Sequence, residues 1–346
     1  MPFVIFENSS GARAPTVERA VRIGVALGGG SARGYAHIGA LACLERNGHA
    51  PDVIVGTSFG AVVGALYATG RSIEELRQQA NNMRRRDVFP YVADFGLHRA
   101  ALFRGARLQE YFARLLEGRH FADLNRDLVV VTTDIDSGER VLLDSGPLDV
   151  ALRASASLPG IFAPVEVDGR RLIDGGIGSP VPLDTLLGLD VDLAIGIGAG
   201  IEARDSQSIR AARRFVGNPT VRRVHRQVLS AAPRGAVGRL GRAIAIAAQN
   251  WLEDESLEAQ STAAASYTGM MEPPASDSAR RCDSLEVHTR PPIHWLNFHR
   301  AGEAISAGDA ALNAIMPRVK NAVAGVLAAR AGLAEVSLAT AAAAGD

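Results

Sequence analysis

Two glycine-rich turns lie 28 residues apart near the start of the chain, and each stands between a short apolar run and a helix-like stretch. The first reads G-G-G-S-A-R-G at 28–34, and the second reads G-T-S-F-G at 56–60. A repeated order of strand, turn and helix predicts parallel strands with helices on their faces. The first turn can offer backbone N–H groups to an anion, and the second can hold Ser58 with its hydroxyl exposed. Together they predict an α/β fold equipped for acyl transfer.

The composition narrows the class of protein. With 346 residues, 47% of them hydrophobic, the chain can bury the core of one large α/β domain with insertions. Its 37 basic and 37 acidic residues balance, which gives no reason to expect nucleic acid as a partner. No stretch approaches the ~20 apolar residues of a spanning helix, and the N-terminal apolar run is too short for a signal peptide. We expect a cytoplasmic protein, with peripheral contact at the inner face of the membrane left open.

The residues that could bind a metal or form a disulfide do not cluster in the sequence. The chain has two cysteines, Cys43 and Cys282, and Cys43 falls in a helical apolar pattern typical of a core. Asp134, Asp136 and Asp144 stand at the ends of predicted strands rather than at ligand spacing. We expect no metal and no cofactor, and the oligomeric state is left open.

The apolar runs divide the chain into predicted elements and segments. Strands are expected at 21–27, 53–55, 128–134, 140–144, 165–168 and 191–198, an edge strand at 285–288, and helices at 36–47, 61–68, 236–258 and 298–315. The segments are a flexible N-terminal leader at 1–20, a catalytic core at 21–200, a mostly helical C-terminal continuation of the same domain at 201–325, and an alanine-rich tail at 326–346. Part of the tail is expected to be helical.

Residues 71–125 interrupt the alternation of strands and helices and are rich in arginine and aromatic residues. Helical pieces at 72–86 and 107–116, joined by irregular turns, predict a helical cap or insertion over the core. The arginines and aromatics at 80–125 have two interpretations. They form a solvated helix face, or their guanidinium groups meet phospholipid head groups. Whether this segment moves as a lid is left open.

The second glycine-rich turn gives Ser58 a setting suited to a nucleophile. Gly56 and Gly60 relieve crowding where the backbone bends from an apolar strand into a helix of small residues. The N-terminus of that helix favours a developing negative charge. A serine between glycines is also common in ordinary turns, so this motif alone is a modest signal.

The first glycine-rich turn has two interpretations. Glycine-rich turns after a strand also bind dinucleotides, and Asp52 stands roughly where a ribose-binding acid would be expected. The third glycine of that motif falls one residue late here, and a nucleophile-type turn follows closely. We therefore favour an oxyanion site in which Gly28, Gly29 and Gly30 expose their N–H groups.

A serine hydroxyl needs a base, and D-G-G at 174–176 supplies a candidate. Asp174 follows an apolar pair, and Gly175 and Gly176 let another chain segment approach its carboxylate closely. The alternative is an ordinary turn after a strand. Because a free aspartate has a pKa near ~3.9, the carboxylate must be close to the serine and aligned with it, and partial burial could raise its pKa.

Four segments, in order, resemble those of the bacterial patatin-like phospholipases. They are G-G-G-S-A-R-G at 28–34, G-T-S-F-G at 56–60, A-S-A-S-L-P-G-I-F-A-P at 154–164 and D-G-G at 174–176. The resemblance covers about residues 21–200 and continues weakly to about residue 320, where H-W-L-N-F-H-R-A-G-E-A-I-S-A-G-D-A-A-L resembles the closing helix of many bacterial members. It implies a three-layer α/β/α fold with a mainly parallel central sheet and a helical insertion.

The resemblance also implies roles for individual residues. Ser58 would be the nucleophile and Asp174 the base of a dyad without histidine, in a lipid acyl hydrolase that cleaves carboxylic esters through an acyl-enzyme. The implied oxyanion donors are the N–H groups of Gly28, Gly29, Gly30 and Phe59. Arg33, beside Gly34, matches an arginine that steadies the loop or faces a phosphate. The natural substrate, the chain length and the regiochemistry stay open.

Other classes of function remain open at this point. A Ser–His–Asp hydrolase would use one of the late histidines, which are His288, His294 and His299. Histidines in such places are more often surface or packing residues, and His37 is expected to pack within the first helix. A catalytically silent lipid-binding or regulatory protein on the same fold is a further alternative, although an intact Ser58 and Asp174 argue against it.

Overall fold

The two glycine-rich turns follow neighbouring parallel strands of one central sheet. In the computed structural model, which describes residues 21–83, 94–98, 101–158, 160–199, 282–293 and 297–343, β1 (Ile23–Leu27) lies between β2 (Val53–Thr57) and β10 (Leu193–Gly198). These strands are continuous apolar runs because both of their faces are covered. Their carboxyl ends bring residues 28 and 58 to the same edge of the sheet.

The rest of the central sheet is formed by strands that the sequence predicts in part. They are β5 (Asp127–Asp134), β6 (Arg140–Leu143), β8 (Val165–Val167), β9 (Arg170–Asp174) and β11 (Asp283–His288). The order is β11–β10–β1–β2–β5–β9–β8, with β6 paired to β5. Pairing is parallel from β11 to β5 and antiparallel where β6, β9 and β8 join. The mainly parallel sheet is confirmed, and β11 occupies the edge position expected for 285–288.

Helices cover both faces of this sheet. Those in the described residues are α1 (Ala36–Arg46), α2 (Phe59–Ala68), α3 (Ile73–Asn82), α4 (Ala106–Leu115), α5 (Leu148–Ser155), α6 (Leu183–Leu187) and α7 (Ala301–Ala343). Because alternate strand residues point to opposite faces, Leu27 and Ile54 pack on the side of α1, α2 and α7. Ala26 and Val55 pack on the side of α6. The three-layer α/β/α arrangement expected from the sequence is confirmed.

The insertion at 71–125 contains the predicted helices and also a small sheet that was not predicted. α3 and α4 lie at the predicted helical pieces, and Ser72 begins α3 with a capping box to Glu75. β3 (Phe95–His98) pairs antiparallel with β4 (Ala101–Phe103), and β7 (Gly160–Phe162) joins β4. The sequence did not show these strands because they are four and three residues long and one partner comes from far along the chain.

A single helix runs from the predicted helix at 298–315 into the predicted alanine-rich tail, part of which was expected to be helical. A 3-10 turn at Phe298–Arg300 leads into α7, which continues through Pro317 to its last residue. The predicted helix ended at residue 315, whereas the observed helix continues although proline removes a hydrogen bond from a helix interior. Leu312, Met316 and Val319, on either side of the proline, are buried against the core. This packing holds the helix together across the proline.

Two predicted segments lie outside the described residues, namely the leader at 1–20 and the helix at 236–258. The boundaries between the catalytic core, its continuation and the tail stay predictions. None of the helices that the structure describes is both long enough and apolar enough to cross a lipid bilayer.

α1 and α7 cross at a close contact built from two glycines. An ideal Cβ at Gly39 would lie 1.8 Å from the backbone oxygen of Ile305, and one at Gly308 would lie 1.8 Å from that of Ala36. No side chain fits at either point, so the two helix backbones touch directly. Since Ala36 begins α1 just after the glycine-rich loop, this crossing also fixes where the loop enters the helix.

We expect Gly308→Ala to lower the free energy of unfolding by about 1–3 kcal/mol, because the new Cβ must push α7 away from α1. Gly325→Ala is the matched control, since it lies in the same helix and nothing stands within 4 Å of its ideal Cβ. Alanine's better helix propensity should stabilise that variant by up to about 1 kcal/mol. Urea unfolding measures both changes. Equal shifts in the two variants would contradict the close contact.

Candidate active site

Strand register places residues 58 and 174 on opposite sides of β5 and at the same height. Thr57, the last residue of β2, pairs with Val131 of β5. The next residue of β5, Thr132, pairs with Asp174 at the end of β9. Ser58 follows Thr57 directly, so it reaches the level of Asp174 with one strand between them. The two residues are therefore brought together by their shared neighbour in the sheet.

Ser58 occupies the sharp turn between β2 and α2. Its φ is 53° and its ψ is −124°, a conformation that residues other than glycine rarely adopt and that marks strain at functional turns. Gly60 allows the helix to begin here, because an ideal Cβ at that position would lie 2.2 Å from the backbone oxygen of Leu27. At Gly56 an ideal Cβ would lie 2.5 Å from the Cα of Ala61. The serine itself remains partly exposed, which a nucleophile requires.

Asp174 is buried beside Ser58, with 2% of its surface exposed. Its Oδ1 accepts a hydrogen bond from the N–H of Gly176 at 2.8 Å, whereas its Oδ2 is buried without a hydrogen-bond partner among the described residues. Burial raises the pKa of this carboxyl to about 6, and the Ser58 hydroxyl and the Gly176 N–H oppose that rise. The Ser58 hydroxyl therefore interacts with this carboxyl, while the Oδ2 stays without a partner among the described residues.

The glycine-rich loop lies next to Ser58, but two of its predicted oxyanion donors are engaged elsewhere. An ideal Cβ at Gly29 would stand 3.5 Å from the Cβ of Ser58. The N–H of Gly28 donates to the backbone oxygen of Ile197, and the N–H of Gly29 donates to that of Pro180, each at 3.0 Å. These bonds attach the loop to its neighbours. The prediction that these two N–H groups are free for an oxyanion is therefore corrected.

The other two predicted donors differ from this pair. The N–H groups of Gly30 and Phe59 have no hydrogen-bond acceptor in the part of the chain that the structure describes. Phe59 is the first residue of α2, where N–H groups lack partners within the helix. The rings of Phe59 and Tyr35 pack edge to face with their centroids 4.9 Å apart, and an ideal Cβ at Gly34 would lie 2.6 Å from the Phe59 ring. The two turns are packed together with an unpaired donor on each.

Two basic side chains flank the loop. His37 is buried in α1, as expected, and its Nε2 donates to the backbone oxygen of Gly28 at 2.7 Å. Burial lowers the pKa of this imidazole to about 4, so the ring is neutral near pH 7. Arg33 is partly exposed, its Nε has no partner among the described residues, and desolvation lowers the pKa of its guanidinium. The loop therefore has a neutral support beneath it and a cation beside it.

Among the described residues, no imidazole is bonded to Ser58 or Asp174. His288 ends β11 at the far edge of the sheet. His299 is exposed in the turn before α7, and His294 lies outside the described residues. The geometry brings a carboxylate, rather than a histidine, to the predicted nucleophile.

The position of Asp52 does not support the dinucleotide interpretation of the first glycine-rich turn. Asp52 precedes β2, and its Oδ2 accepts a hydrogen bond from the N–H of Ile23 at 2.9 Å. Both groups stand at the amino ends of the strands, whereas the glycine-rich loop stands at the carboxyl ends. A ribose-binding acid must lie on the same side of the sheet as the phosphate loop. Asp52 therefore does not fit that role.

Within the described ranges, no group of three or more His, Cys, Asp or Glu side chains could hold a metal ion. Asp134 closes the turn after β5 by accepting the N–H of Asp136 at 2.9 Å. Asp136 forms an ion pair with Arg171. These two acids stabilise the end of a strand.

One serine that the sequence analysis did not single out contacts the turn at Ser58. Ser155 ends α5 and is fully buried, and its hydroxyl accepts the N–H of Ser58 at 2.8 Å and donates to the oxygen of Val131 at 2.7 Å. Two residues later, the backbone oxygen of Ser157 accepts the N–H of Asp174 at 3.0 Å. The only signal in the sequence was the motif at 154–164, which carried no roles for its residues.

A buried guanidinium anchors the end of α5. Arg153 is 2% exposed, and it donates to the backbone oxygens of Gly105, Arg104 and Ala163 at 2.9, 2.7 and 2.9 Å, and to the hydroxyl of Ser157. Burial lowers its pKa to about 10, so it stays charged near pH 7. These bonds connect α5 to the residues that lead into α4.

Comparisons with known proteins agree with the motifs. Residues 25–187 match the family model described as patatin-like phospholipase. An uncharacterized NTE family protein of Mycobacterium tuberculosis is 38% identical over 176 residues, which cover 51% of this chain and 48% of that protein. Human patatin-like phospholipase domain-containing protein 6 is 34% identical over 182 residues, which cover 51% of this chain and 13% of that protein. The match therefore spans about half of the mycobacterial relative and a small part of the human one.

We expect Asp174→Asn to raise the free energy of unfolding, and to raise it more at pH 8 than at pH 4. A carboxyl with a raised folded-state pKa favours the folded protein when protonated, and this benefit is lost as pH rises from about 4 to about 6. Asparagine does not titrate, so the difference should grow over that window by up to about 3 kcal/mol and then stay constant.

Asp136→Asn is the matched control for this measurement. The hydrogen bond from Arg171 holds the pKa of Asp136 below its usual value, so that variant should lose stability relative to wild type as pH rises. Urea unfolding at several pH values measures the free energy of unfolding of both variants and of wild type. A pH-independent difference for Asp174→Asn would contradict the buried, titrating carboxyl.

Proposed function

We propose that residues 25–187, which match the patatin-like phospholipase family model, cleave carboxylic ester bonds of lipids with Ser58 as nucleophile and Asp174 as general base. The observation that carries the proposal is the Oδ2 of Asp174, a buried oxygen without a hydrogen-bond partner among the described residues, in a carboxyl that interacts with the Ser58 hydroxyl. Leaving a buried polar atom unpaired is costly. A reaction in which that atom accepts a proton accounts for its retention.

In the acylation step, the Oγ of Ser58 attacks the ester carbonyl carbon while its proton passes to the Oδ2 of Asp174. The carbonyl oxygen becomes an oxyanion as the new carbon–oxygen bond forms. The proton then moves from Asp174 to the alcohol oxygen, whose bond to the carbonyl carbon breaks. The products are the free alcohol and an acyl-enzyme on Ser58.

The oxyanion donors in this proposal are the N–H groups of Gly30 and Phe59, because those of Gly28 and Gly29 are already bonded. Phe59 also stands at the N-terminus of α2, whose dipole favours negative charge. Each such donor typically accounts for on the order of a hundredfold in rate. The packing of the two turns keeps both donors near the hydroxyl.

In the deacylation step, a water molecule gives a proton to the Oδ2 of Asp174 and attacks the acyl carbon. The tetrahedral intermediate collapses, and the Oγ of Ser58 takes the proton back as it leaves. The fatty acid is released and the enzyme returns to its starting state. A carboxyl whose pKa lies near 6 is a stronger base than free aspartate and is still ionised near pH 7.

A lipid acyl ester is the substrate class that the surroundings favour. Phe59 follows Ser58 directly, its ring centroid lies 5.8 Å from that of Phe298, and both side chains are only partly buried. Apolar rings beside the reacting carbonyl suit an acyl chain. The cation of Arg33 suits a phosphodiester head group, so phospholipids are the first substrates to test. Such substrates lie in bilayers, and the proposal includes transient contact with a membrane surface.

We expect Ser58→Ala and Asp174→Asn each to lower kcat by about 10³-fold or more on p-nitrophenyl esters and on phospholipid vesicles. Each variant removes one partner of the proton transfer. Ser306→Ala and Asp136→Asn are matched controls, because both residues are exposed and lie away from the site. They should hydrolyse at the wild-type rate. Equal rates in all five proteins would end the proposal. If an alanine variant of His288, His294 or His299 lost activity while Asp174→Asn kept it, the Ser–His–Asp triad would be favoured instead.

We expect kcat/KM to rise about tenfold per pH unit below about pH 6 and to be flat above it, because the base must be ionised. Carboxyl ionisation has almost no enthalpy, whereas imidazole ionisation is strongly endothermic. The midpoint should therefore stay in place when the profile is measured at two temperatures. A midpoint that moves to lower pH on warming would indicate a histidine base.

A further inference from the structure

We propose that Ser155 is a positioning residue for the nucleophile, an inference that rests on the proposed role of Ser58. Thr57 is the last residue of β2 to pair with β5, and the turn at Ser58 takes the backbone out of strand geometry. The Ser155 hydroxyl stands between the Ser58 N–H and the Val131 oxygen of β5, at 2.8 and 2.7 Å. It bridges the gap that the turn opens in the sheet.

A single buried hydroxyl forms this bridge. Ser155 is fully buried, and its hydroxyl uses one acceptor and one donor site for the two backbone groups. Removing the oxygen would take this partner from the part-buried Ser58 N–H and from the buried Val131 oxygen. The strained φ of 53° at Ser58 would then have less to hold it. A shift of about 1 Å in the nucleophile is enough to lower a rate on the order of a hundredfold.

The same helix end also contacts the base. The backbone oxygen of Ser157 accepts the N–H of Asp174 at 3.0 Å, and Arg153 anchors this stretch by its bonds to three backbone oxygens. The end of α5 therefore forms a hydrogen bond to the backbone of each member of the proposed dyad. The contact to Asp174 is made by the backbone, so the contact to Ser58 is the one that a substitution can remove.

In the experiment, a fluorophosphonate labels the Ser58 hydroxyl covalently in wild type, Ser155→Ala and Thr69→Val. The rate constant of labelling reports the reactivity of each active site, and the endpoint reports the fraction of correctly folded chains. Thr69→Val is the matched control, because it also removes a buried hydroxyl that bonds a backbone oxygen, that of Leu66 at 2.6 Å, at the far end of α2.

For Ser155→Ala we expect a full endpoint, with the labelling rate constant and kcat both lowered about 10- to 100-fold and KM changed less than about twofold. Thr69→Val should keep the wild-type rate constant. An unchanged rate constant in Ser155→Ala would overturn the inference. So would a reduced endpoint at an unchanged rate constant, because that result describes a residue needed only for folding.

If Ser155→Ala does not fold, Ser155→Cys takes its place, since a thiol has a similar shape and bonds more weakly. An intermediate rate constant supports the inference, and a wild-type rate constant overturns it. The proposed function is tested separately in the same assay. A wild type that is not labelled, or a Ser58→Ala variant labelled as fast as wild type, overturns the proposed function and this inference with it.

Discussion

The pairing of β5 with β2 on one side and with β9 on the other is the constraint on which the site depends. It sets Ser58 and Asp174 at one level across a single strand. An ideal Cβ at Gly175 would lie 2.3 Å from the Val131 oxygen, so the turn after β9 rests on β5 without room for a side chain. The same oxygen accepts the Ser155 hydroxyl. One strand therefore holds the proposed nucleophile, the proposed base and the serine proposed to position the nucleophile.

The site retains several features that lower stability. It keeps a positive φ at Ser58 and, within the part of the chain that the structure describes, two buried atoms without a hydrogen-bond partner, the Oδ2 of Asp174 and the Nδ1 of His37. Arrangements of this kind persist when the surrounding structure over-determines them. The surroundings here supply that: continuous parallel strands, a backbone-to-backbone crossing of α1 and α7 at Gly308, and the anchoring of α5 by Arg153. These packed strands and helices hold the turn at Ser58 in its strained conformation.

Local patterns predicted the strand–turn–helix units around 28–34 and 56–60, because an apolar run followed by glycines can be recognised within a few residues of sequence. The proximity of Ser58 and Asp174 came from resemblance, since the pairing that joins them passes through a third strand. Nothing local could show that the N–H groups of Gly28 and Gly29 are occupied, because their acceptors come from 180 and 197. The short strands β3 and β4 escaped because they have only four and three residues, and because β4 also pairs with β7, which lies far along the chain.

The histidine beneath the glycine-rich loop and the acid beside the serine titrate in separate ranges. His37 supports the Gly28 oxygen as a neutral ring whose pKa is about 4, while that of Asp174 is about 6. Between these values the acid carries a proton and the loop keeps its support. In the proposed mechanism, mild acidification therefore inactivates the base by adding one proton to Asp174 while His37 keeps its hydrogen bond to the loop, and neutralisation restores the base by removing that proton.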